Sequence, residues 1–431
     1  MINKTSLIKF FKTQTLREVL FVYFGSIVNG VSLFLVTVLL GNHLTKNDFG
    51  IFTLSVMVLT VTAELSDFGL NAGLLRFGPQ FLAKGEEESF KKFVKTIWHW
   101  RVKISLLLTL GGLALAYPLA KYIFKQPEIY YYLLFSFIGI GGTVLLGFIN
   151  SYLQTVQKFK NNSQLQIVKG LSKLLLIALF VFTGSQNLYL FLAVFIFTPW
   201  LIYFYYFKFL PAGFNRLAVS ALEKKDFNSR LGNFSLWLTI NHLFAIVAGK
   251  IDQVVVSNYL GLEQLAIFSI AMQFLYFYSV GIGSITSVIT PKINALLNKD
   301  QLRAYIIKSY KAIVPLFLAG IFLIYPTKFF IILLFGAKYV DSIPAYLILS
   351  YSMLFSLAGV PLSSIMIFFN KPKLIALLGF VQLAVNLGAN LYLIPRYGII
   401  GASLAYGVGV LFSLLYTILI STYLFKSSKT A

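Results

Sequence analysis

Long apolar runs divide this sequence and set the strongest limit on its fold. Each run is about 18 to 25 residues long, and about 20 residues let a helix cross the hydrocarbon core of a bilayer. A run inside lipid has to satisfy its backbone polar groups internally, so it folds as a helix. The sequence therefore predicts an all-α polytopic membrane protein with twelve transmembrane helices. They fall at residues 19–40, 49–71, 97–119, 129–150, 166–183, 188–207, 233–257, 264–288, 306–325, 344–369, 374–394 and 399–424.

The composition agrees with a membrane protein and argues against several other classes. Hydrophobic residues make up 58% of the chain and charged residues only 12%. The chain has no cysteine, which excludes disulfides and thiolate metal sites. Its three histidines lie in different segments without metal-ligand spacing, so we expect neither a metal nor a cofactor. The net charge of +22 occurs without a basic run that contains interleaved aromatics, so we expect no nucleic-acid partner.

The basic residues of the connections predict the orientation in the membrane. Cytoplasmic loops retain Lys and Arg, whereas exported loops hold few of them. With both termini inside, 29 of the 36 cations fall on the inner side, six fall on the outer side, and Lys250 lies within a span. The inner set includes Arg101, Lys169 and Lys173. We therefore expect a protein of the cytoplasmic membrane with both termini in the cytoplasm.

The two halves of the chain are related by an offset of 216 residues. At this offset Leu44 falls on Leu260 and the basic Arg76 falls on Lys292. Six helices return the chain to its starting side, so two such halves are parallel repeats related by an axis along the membrane normal. Chance matching of apolar residues is the alternative. The predicted domains are a six-helix lobe over 1–207, a cytoplasmic amphipathic linker over 208–232 and a second six-helix lobe over 233–431.

The predicted linker shows the pattern of a helix that lies on the inner leaflet. Its apolar residues share one helical face, opposite a charged face. The apolar residues are Phe214, Leu217, Ala218, Ala221 and Leu222, and the charged residues are Glu223, Lys224 and Lys225.

A polar stripe follows one face of the second predicted helix and recurs in the second half. Residues spaced by three or four positions share a helical face. In the first half they are Thr53, Met57, Thr60, Glu64, Asp67 and Asn71, and in the second half they are Ser269, Gln273, Tyr276, Val280, Gly283 and Ser287. Chance matching does not readily explain why the two polar stripes lie at the same offset of 216 residues.

Ionisable residues within the predicted spans mark candidate sites. Each costs roughly 2.5 to 3.5 kcal/mol on insertion scales, so it usually faces a cavity or a partner. Lys250 can face substrate, form a buried ion pair with a carboxylate such as Glu64 or Asp67, or snorkel to the interface. Asp252 can make a hydrogen bond between helices or hold a proton or ion. The candidates are Glu64, Asp67, His242, Lys250 and Asp252.

The acidic pair Glu64 and Asp67 also has two interpretations. Both lie in the inner third of the second span, where they can form a salt bridge to Arg76 or to the basic cluster at 84–95. The other interpretation is that they couple transport to an ion. Uncharged polar residues such as Asn29 and Asn386 either join helices or line a cavity suited to sugar hydroxyls.

Two stretches resemble the signatures of a known transporter family. The run from Leu44 to Phe77, LTKNDFGIFTLSVMVLTVTAELSDFGLNAGLLRF, resembles the second-helix signature of polysaccharide-biosynthesis flippases. The run from Ile251 to Ala271, IDQVVVSNYLGLEQLAIFSIA, resembles the junction between their seventh and eighth helices. Asp67, Gly69 and Arg76 match the first motif, and Asp252, Tyr259 and Gly261 match the second.

The resemblance implies the multidrug/oligosaccharidyl-lipid/polysaccharide superfamily and its O-antigen and capsule branch. It implies a MATE-like fold whose two lobes form a V-shaped cavity that opens alternately to each side. The function it implies is translocation of a polyprenyl-pyrophosphate-linked oligosaccharide from the inner to the outer leaflet. The expected partners are this lipid-linked substrate, membrane lipids, a coupling proton or sodium ion, and the proteins of polysaccharide assembly.

Such a flippase needs a wet, partly cationic cavity, because sugar and pyrophosphate must cross a low-dielectric slab. Lys250 and Arg76 are our candidates for the phosphates. The full set of candidate substrate contacts is Lys250, Arg76, Asn29, Gln273, Tyr276 and Asn386, and the candidates for ion coupling are Asp252, Glu64 and Asp67.

Two other functions compete with this one. A cation-coupled multidrug antiporter is an alternative, because drug-exporting relatives tend to carry acidic cation sites in the first lobe, where Glu64 and Asp67 lie. Lipid II flippases resemble fourteen-helix proteins, and this chain has room for twelve. A membrane enzyme needs outward-facing acid or base groups at its reacting centre. The longest outer loop offers only Lys328, Lys338 and Asp341, so we do not expect an enzyme.

Overall fold

The computed structural model describes the backbone of residues 14–294, 298–369 and 371–427, and most side chains within these ranges. The regular structure of the described residues is helical throughout, without a strand. Eight α-helices form its first half: α1 Gln14–His43, α2 Lys46–Leu65, α3 Leu70–Ala83, α4 Glu87–Pro118, α5 Tyr130–Ile138, α6 Ile140–Thr155, α7 Phe159–Phe182 and α8 Leu188–Tyr206.

Six further α-helices follow in the described part of the second half. They are α9 Ala221–Ala248, α10 Ile251–Leu260, α11 Leu262–Asn294, α12 Lys299–Phe335, α13 Ser342–Phe368 and α14 Pro372–Ser427. The start of α2 at Lys46 and the start of α11 at Leu262 are 216 residues apart, the offset that the sequence suggested. This agreement supports the duplication.

Eleven helical segments of the described residues are long and apolar enough to cross a membrane. The last of them, α14, has 56 residues, which at 1.5 Å per residue makes it much longer than a bilayer is thick. Gly398 interrupts it with φ 59° and ψ −137°, backbone angles that a glycine adopts readily. The predicted spans 374–394 and 399–424 lie on either side of this glycine. The count of twelve spans stays a prediction.

Three of the predicted spans are broken where the sequence analysis expected continuous helices, one of them at residue 139, between α5 and α6 in the span at 129–150. The span at 49–71 ends as helix α2 at Leu65, and a turn with positive φ at Phe68 and Gly69 precedes α3. The polar stripe therefore ends at Glu64, and Asp67 no longer continues it. The span at 233–257 is broken between α9 and α10, at residues 249 and 250.

The first part of the linker is not the amphipathic helix that the sequence predicted. Residues 207–220 hold only two short 3₁₀ turns, Phe207–Phe209 and Phe214–Arg216. Phe214 is 2% exposed and belongs to a core cluster that also contains Phe93 and Phe227. Its ring is therefore buried within the protein and does not lie on the inner leaflet as the sequence predicted.

Polar contacts also fix the linker to α4. Lys95 Nζ donates to the carbonyl of Leu217 at 2.6 Å, and Lys92 Nζ lies 2.9 Å from Glu223 Oε1. Hydrogen bonds from the Ser220 N–H and from Lys92 lower the pKa of the Glu223 carboxyl below its ordinary value. The linker thus begins as a packed part of the first unit.

The chain divides into two compact units. The first comprises residues 1–45, 55–120 and 127–239, and the second comprises 46–54, 121–126 and 240–431. Two short pieces of the first half thus belong to the second unit, where the Asn258 side chain donates to the Ile123 carbonyl at 2.6 Å. The lobe boundaries at 207 and 233 stay a prediction.

Replacing Phe214 tests the packing of the linker. We expect Phe214→Ala to lower the free energy of unfolding by about 3–5 kcal/mol, because it removes a ring from a packed core. Leu222→Ala is the control, since this side chain is 81% exposed and should change stability by less than about 0.5 kcal/mol. The measurement is denaturant unfolding in detergent. Equal effects of the two substitutions would contradict the packing described here.

Candidate functional site

A polar stripe runs along one face of α7 in the first unit. Asn162, Gln166, Lys169 and Lys173 are spaced by four, three and four residues, so they share one face of the helix. Near its start, the stripe is held by Asn150 of α6. The Asn150 Oδ1 atom accepts hydrogen bonds from Asn162 Nδ2 at 2.7 Å and from Gln166 Nε2 at 2.8 Å. The amide groups of the stripe are therefore paired.

The two lysines of the stripe lie deep in the helix. Lys173 follows the start of α7 by fourteen residues, or about 21 Å at the helical rise. It is 7% exposed, and its Nζ lies 4.3 Å from the centroid of the Phe195 ring on α8. Lys169 is one turn earlier and half-buried, and it interacts electrostatically with Glu64 of α2. Glu64 itself is exposed.

This placement corrects the sequence analysis, which assigned Lys169 and Lys173 to an inner connection. Both lie inside the predicted span 166–183, and their spacing of four residues is the signal that was missed. A membrane helix seldom carries two cations on one face unless they have a partner or a ligand.

Asn29, a predicted substrate contact, lies where α1 approaches α7. A Cβ added to Gly170 would lie 2.7 Å from the Cα of Asn29, so only glycine permits this approach. The Asn29 Oδ1 atom is buried and has no hydrogen-bond partner among the described residues. Gly170 is three residues from Lys173, which places Asn29 beside the lysine-bearing face.

Asp67 is part of a buried ion pair, but its partner is Arg101 rather than the predicted Arg76 or the 84–95 cluster. Arg101 of α4 is 2% exposed, and its guanidinium contacts the Asp67 carboxylate and the Ser66 carbonyl. The carboxylate also accepts from the Asn71 N–H at 3.2 Å and so caps α3. Arg76 is exposed, with its guanidinium 5.6 Å from the centroid of the Phe77 ring. These contacts give Asp67 a structural role.

The second unit holds its own buried carboxylate, Asp252 of α10, which is 1% exposed. Asn390 Nδ2 of α14 donates to Asp252 Oδ1 at 2.5 Å and to Asn386 Oδ1 at 2.6 Å. The oxygens Asn390 Oδ1 and Gln253 Oε1 are buried without a partner among the described residues. A buried carboxylate within a cluster of amide side chains can hold a proton or a monovalent cation. The structure thus brings the predicted residues Asp252 and Asn386 together.

The other predicted contacts of the second unit are more dispersed. Lys250 lies half-buried in the break between α9 and α10, two residues before Asp252. Gln273 is half-buried and Tyr276 is exposed, both on α11. The side chains of His242 and Ser287 lie outside the described residues. Nothing in this geometry decides among the alternatives for Lys250, which stay predictions.

The sequence was compared with models of known families. Residues 15–297 of the 431 match the model of the polysaccharide biosynthesis protein family. The chain belongs to this family. An uncharacterised membrane protein of Methanocaldococcus jannaschii is 23% identical over 405 residues, which cover 86% of this chain and 76% of that protein. A Shigella flexneri protein named as a candidate O-antigen transporter is 24% identical over 205 residues, covering 45% of this chain and 48% of that protein.

Solved structures show the fold of this polysaccharide biosynthesis protein. An inward-facing multidrug resistance MATE family transporter superposes with a TM-score of 0.78 at 13% identity, covering 94% of this chain and 96% of that one. The lipid II flippase MurJ in its inward closed conformation superposes with a TM-score of 0.72 at 16% identity, covering 94% of this chain and 87% of that one. The predicted all-α, MATE-like membrane fold is confirmed. The chain is a multi-pass membrane protein whose family and fold neighbours are transporters and flippases.

The Asp67–Arg101 pair gives a direct stability test. We expect Arg101→Ala to lower the free energy of unfolding by about 3–5 kcal/mol, because it leaves the Asp67 carboxylate without its buried partner. Lys103→Ala on the same helix is the matched control, since Lys103 is exposed. Thermal or denaturant unfolding of the purified protein measures both. A loss of similar size in both variants would contradict the role assigned to Arg101.

Proposed function

We propose that this protein is a flippase that moves a polyprenyl-pyrophosphate-linked oligosaccharide from the inner to the outer leaflet for surface polysaccharide biosynthesis. The observation that carries the proposal is the match to the polysaccharide biosynthesis family over residues 15–297, on a transporter fold. The names of the Shigella flexneri relative and of MurJ, an O-antigen transporter and a lipid II flippase, favour the same class of cargo.

The chemistry of the cargo explains why such a protein needs polar groups within its spans. A sugar headgroup and a pyrophosphate lose their hydration in a low-dielectric slab unless the protein replaces it. Lys250 and Arg76 are the proposed phosphate contacts at the two units. Amide and hydroxyl groups of Asn29, Gln273 and Tyr276 suit sugar hydroxyls. The polyprenyl tail stays in the surrounding lipid.

Ion coupling is proposed at Asp252. Its buried carboxylate already contacts Asn390, and Asn386 lies next to it, so a proton or sodium ion has both a charge and oxygen ligands there. Asn386, expected as a substrate contact, is reassigned to this site. Asp67 is left out, because Arg101 and the start of α3 occupy its carboxylate. Glu64 stays a candidate in the first unit.

The proposed location is the cytoplasmic membrane with both termini inside. The concentration of basic residues in the predicted inner connections supports this orientation, because cytoplasmic loops retain Lys and Arg. Most of the few cations of the predicted outer side contact aromatic rings, which are enriched at both membrane interfaces. Five of the six predicted outer cations lie over an aromatic ring: Lys121 over Tyr122, Lys125 over Tyr259, Lys328 over Tyr325, Lys338 over Tyr339 and Arg396 over Tyr392. In the proposed mechanism, the substrate site is accessible alternately from the inner and the outer side of the membrane.

A cation-coupled multidrug antiporter is the second candidate. The match to a MATE family transporter and the exposed Glu64 in the first unit favour it. Extrusion of a dye from loaded vesicles, in a strain whose surface glycan is intact without the gene, would support the antiporter over the flippase.

A conditional knockout tests the proposed cargo. We expect surface glycan to disappear on depletion and to return with the wild-type gene. Lys250→Ala and Arg76→Ala should restore less than about a tenth of the wild-type glycan, because each removes a cation that balances a phosphate charge. Lys84→Ala, an exposed loop lysine, is the control that should restore it fully. Full restoration by both variants would remove these two sites from the proposal.

Coupling is tested by Asp252→Asn. The substitution keeps the shape of the side chain and one acceptor oxygen but removes the charge, so we expect transport that no longer responds to an imposed proton or sodium gradient. The measurement is delivery of a fluorescent lipid-linked oligosaccharide to the outer leaflet of proteoliposomes. Asp300→Asn, at an exposed position, is the control. A gradient response equal to that of the wild type would exclude Asp252 from coupling.

A further inference from the structure

Two lysines on α7, the buried Lys173 and the half-buried Lys169, lack the close carboxylate that a membrane protein normally supplies. Among the residues that the structure describes, neither Lys169 nor Lys173 has a carboxylate oxygen within 4.0 Å of its nitrogen. The elements around them supply the Phe195 ring from α8, the Asn29 amide from α1 and the more distant charge of Glu64 from α2. Elsewhere in this unit, Asp67 and Arg101 are paired with each other.

A structural role does not account for this arrangement. Buried charges that stabilise a fold are paired and hydrogen-bonded, as Arg101 is, because an unpaired charge is costly in low dielectric. Two like charges one turn apart on a helix add their mutual repulsion. An absent anionic ligand explains why two cations on one helix face have no ion pair, because the ligand supplies the negative charge. The oxygen Asn29 Oδ1 is also buried without a partner among the described residues, but it can only accept a hydrogen bond and so is not a contact for the anion.

We propose that Lys169 and Lys173 form an anion-binding site within the first unit, which takes a phosphate or diphosphate group and for which Glu64 is the counter-ion while the site is empty. The identity of the ligand rests on the proposed flippase function. The half-buried Lys169 and the exposed Glu64 give an anion a route to the site. The inner end of the α7 stripe is held by Asn150, which fixes the helix face that presents both lysines.

The spacing of the lysines fits a diphosphate. Side chains four residues apart begin about 5–6 Å from each other, so each ammonium can contact one phosphate of the pair. The carboxylate of Glu64 carries one negative charge, whereas a diphosphate carries more, so the ligand displaces Glu64. When the ligand leaves, the negative charge of Glu64 again balances part of the positive charge of the two lysines.

Binding of inorganic pyrophosphate to the purified full-length protein tests the site, by calorimetric titration at constant ionic strength. We expect Lys169→Gln and Lys173→Gln each to raise the dissociation constant at least tenfold, and Glu64→Gln to lower it about threefold. Lys160→Gln is the matched control, because Lys160 is an exposed lysine in the first turn of the same helix. Absence of binding by the wild type, or equal affinity of all variants, overturns the site.

Lys173→Met separates binding from folding. An unpaired ammonium destabilises the empty protein, so its replacement by an apolar side chain of similar length should raise the melting temperature without pyrophosphate. The rise that pyrophosphate causes in the wild type should disappear. A lower melting temperature for Lys173→Met would identify a structural lysine and overturn the proposal.

The outcome is independent of the glycan experiment. If Lys169→Gln and Lys173→Gln bind pyrophosphate as the wild type does while depletion still removes surface glycan, the anion site is wrong and the flippase function stands. If depletion leaves the glycan intact while the lysine variants lose pyrophosphate binding, the site stands and the cargo is a different phosphorylated molecule.

Discussion

The structure depends on the cost of leaving a polar group unsatisfied in hydrocarbon. Lipid offers no hydrogen bonds, so each intramembrane polar side chain must find its partner within the protein. Three sets of polar contacts, one ionic and two between amides or an amide and a carboxylate, are examples. Arg101 binds Asp67 and the Ser66 carbonyl, Asn150 accepts from two amides of α7, and Asn390 joins Asp252 to Asn386. These contacts tie together helices that apolar packing alone would leave free to slide.

Some exceptions to this rule lie at the sites proposed above. Asn29 Oδ1 in the first unit and Asn390 Oδ1 in the second are buried without a hydrogen-bond partner among the described residues, and the buried Lys173 has no carboxylate oxygen within 4.0 Å of its nitrogen. Natural proteins retain such costs where a ligand or ion supplies the missing partner. The proposals for Lys169 with Lys173 and for Asp252 thus assign an anionic ligand and a coupling cation to different residues.

Breaks in the helices coincide with the two buried aspartates. Asp67 lies in the turn between α2 and α3, and Asp252 lies in the first turn of α10, just after the break at residues 249 and 250. A break exposes backbone N–H groups at the start of the next helix, and a carboxylate placed there satisfies them. At Asp67 this contact is seen directly, with the Asn71 N–H as donor. At these two places an aspartate and an interruption of the span occur together.

The sequence by itself determined the class of structure. Long apolar runs and the shortage of charge led to an all-α membrane protein, because hydrocarbon thickness and backbone hydrogen bonding leave few other solutions. The resemblance of two stretches to polysaccharide-biosynthesis flippases added the MATE-like fold. The sequence also singled out Asp252 and Asn386. Only the tertiary structure decided the partners: it paired Asp67 with Arg101 rather than Arg76, buried Phe214 in a core, and placed Lys173 over the Phe195 ring. Periodicity shows which side of a helix a residue occupies, but the neighbouring helix that meets this side depends on packing between segments far apart in the chain.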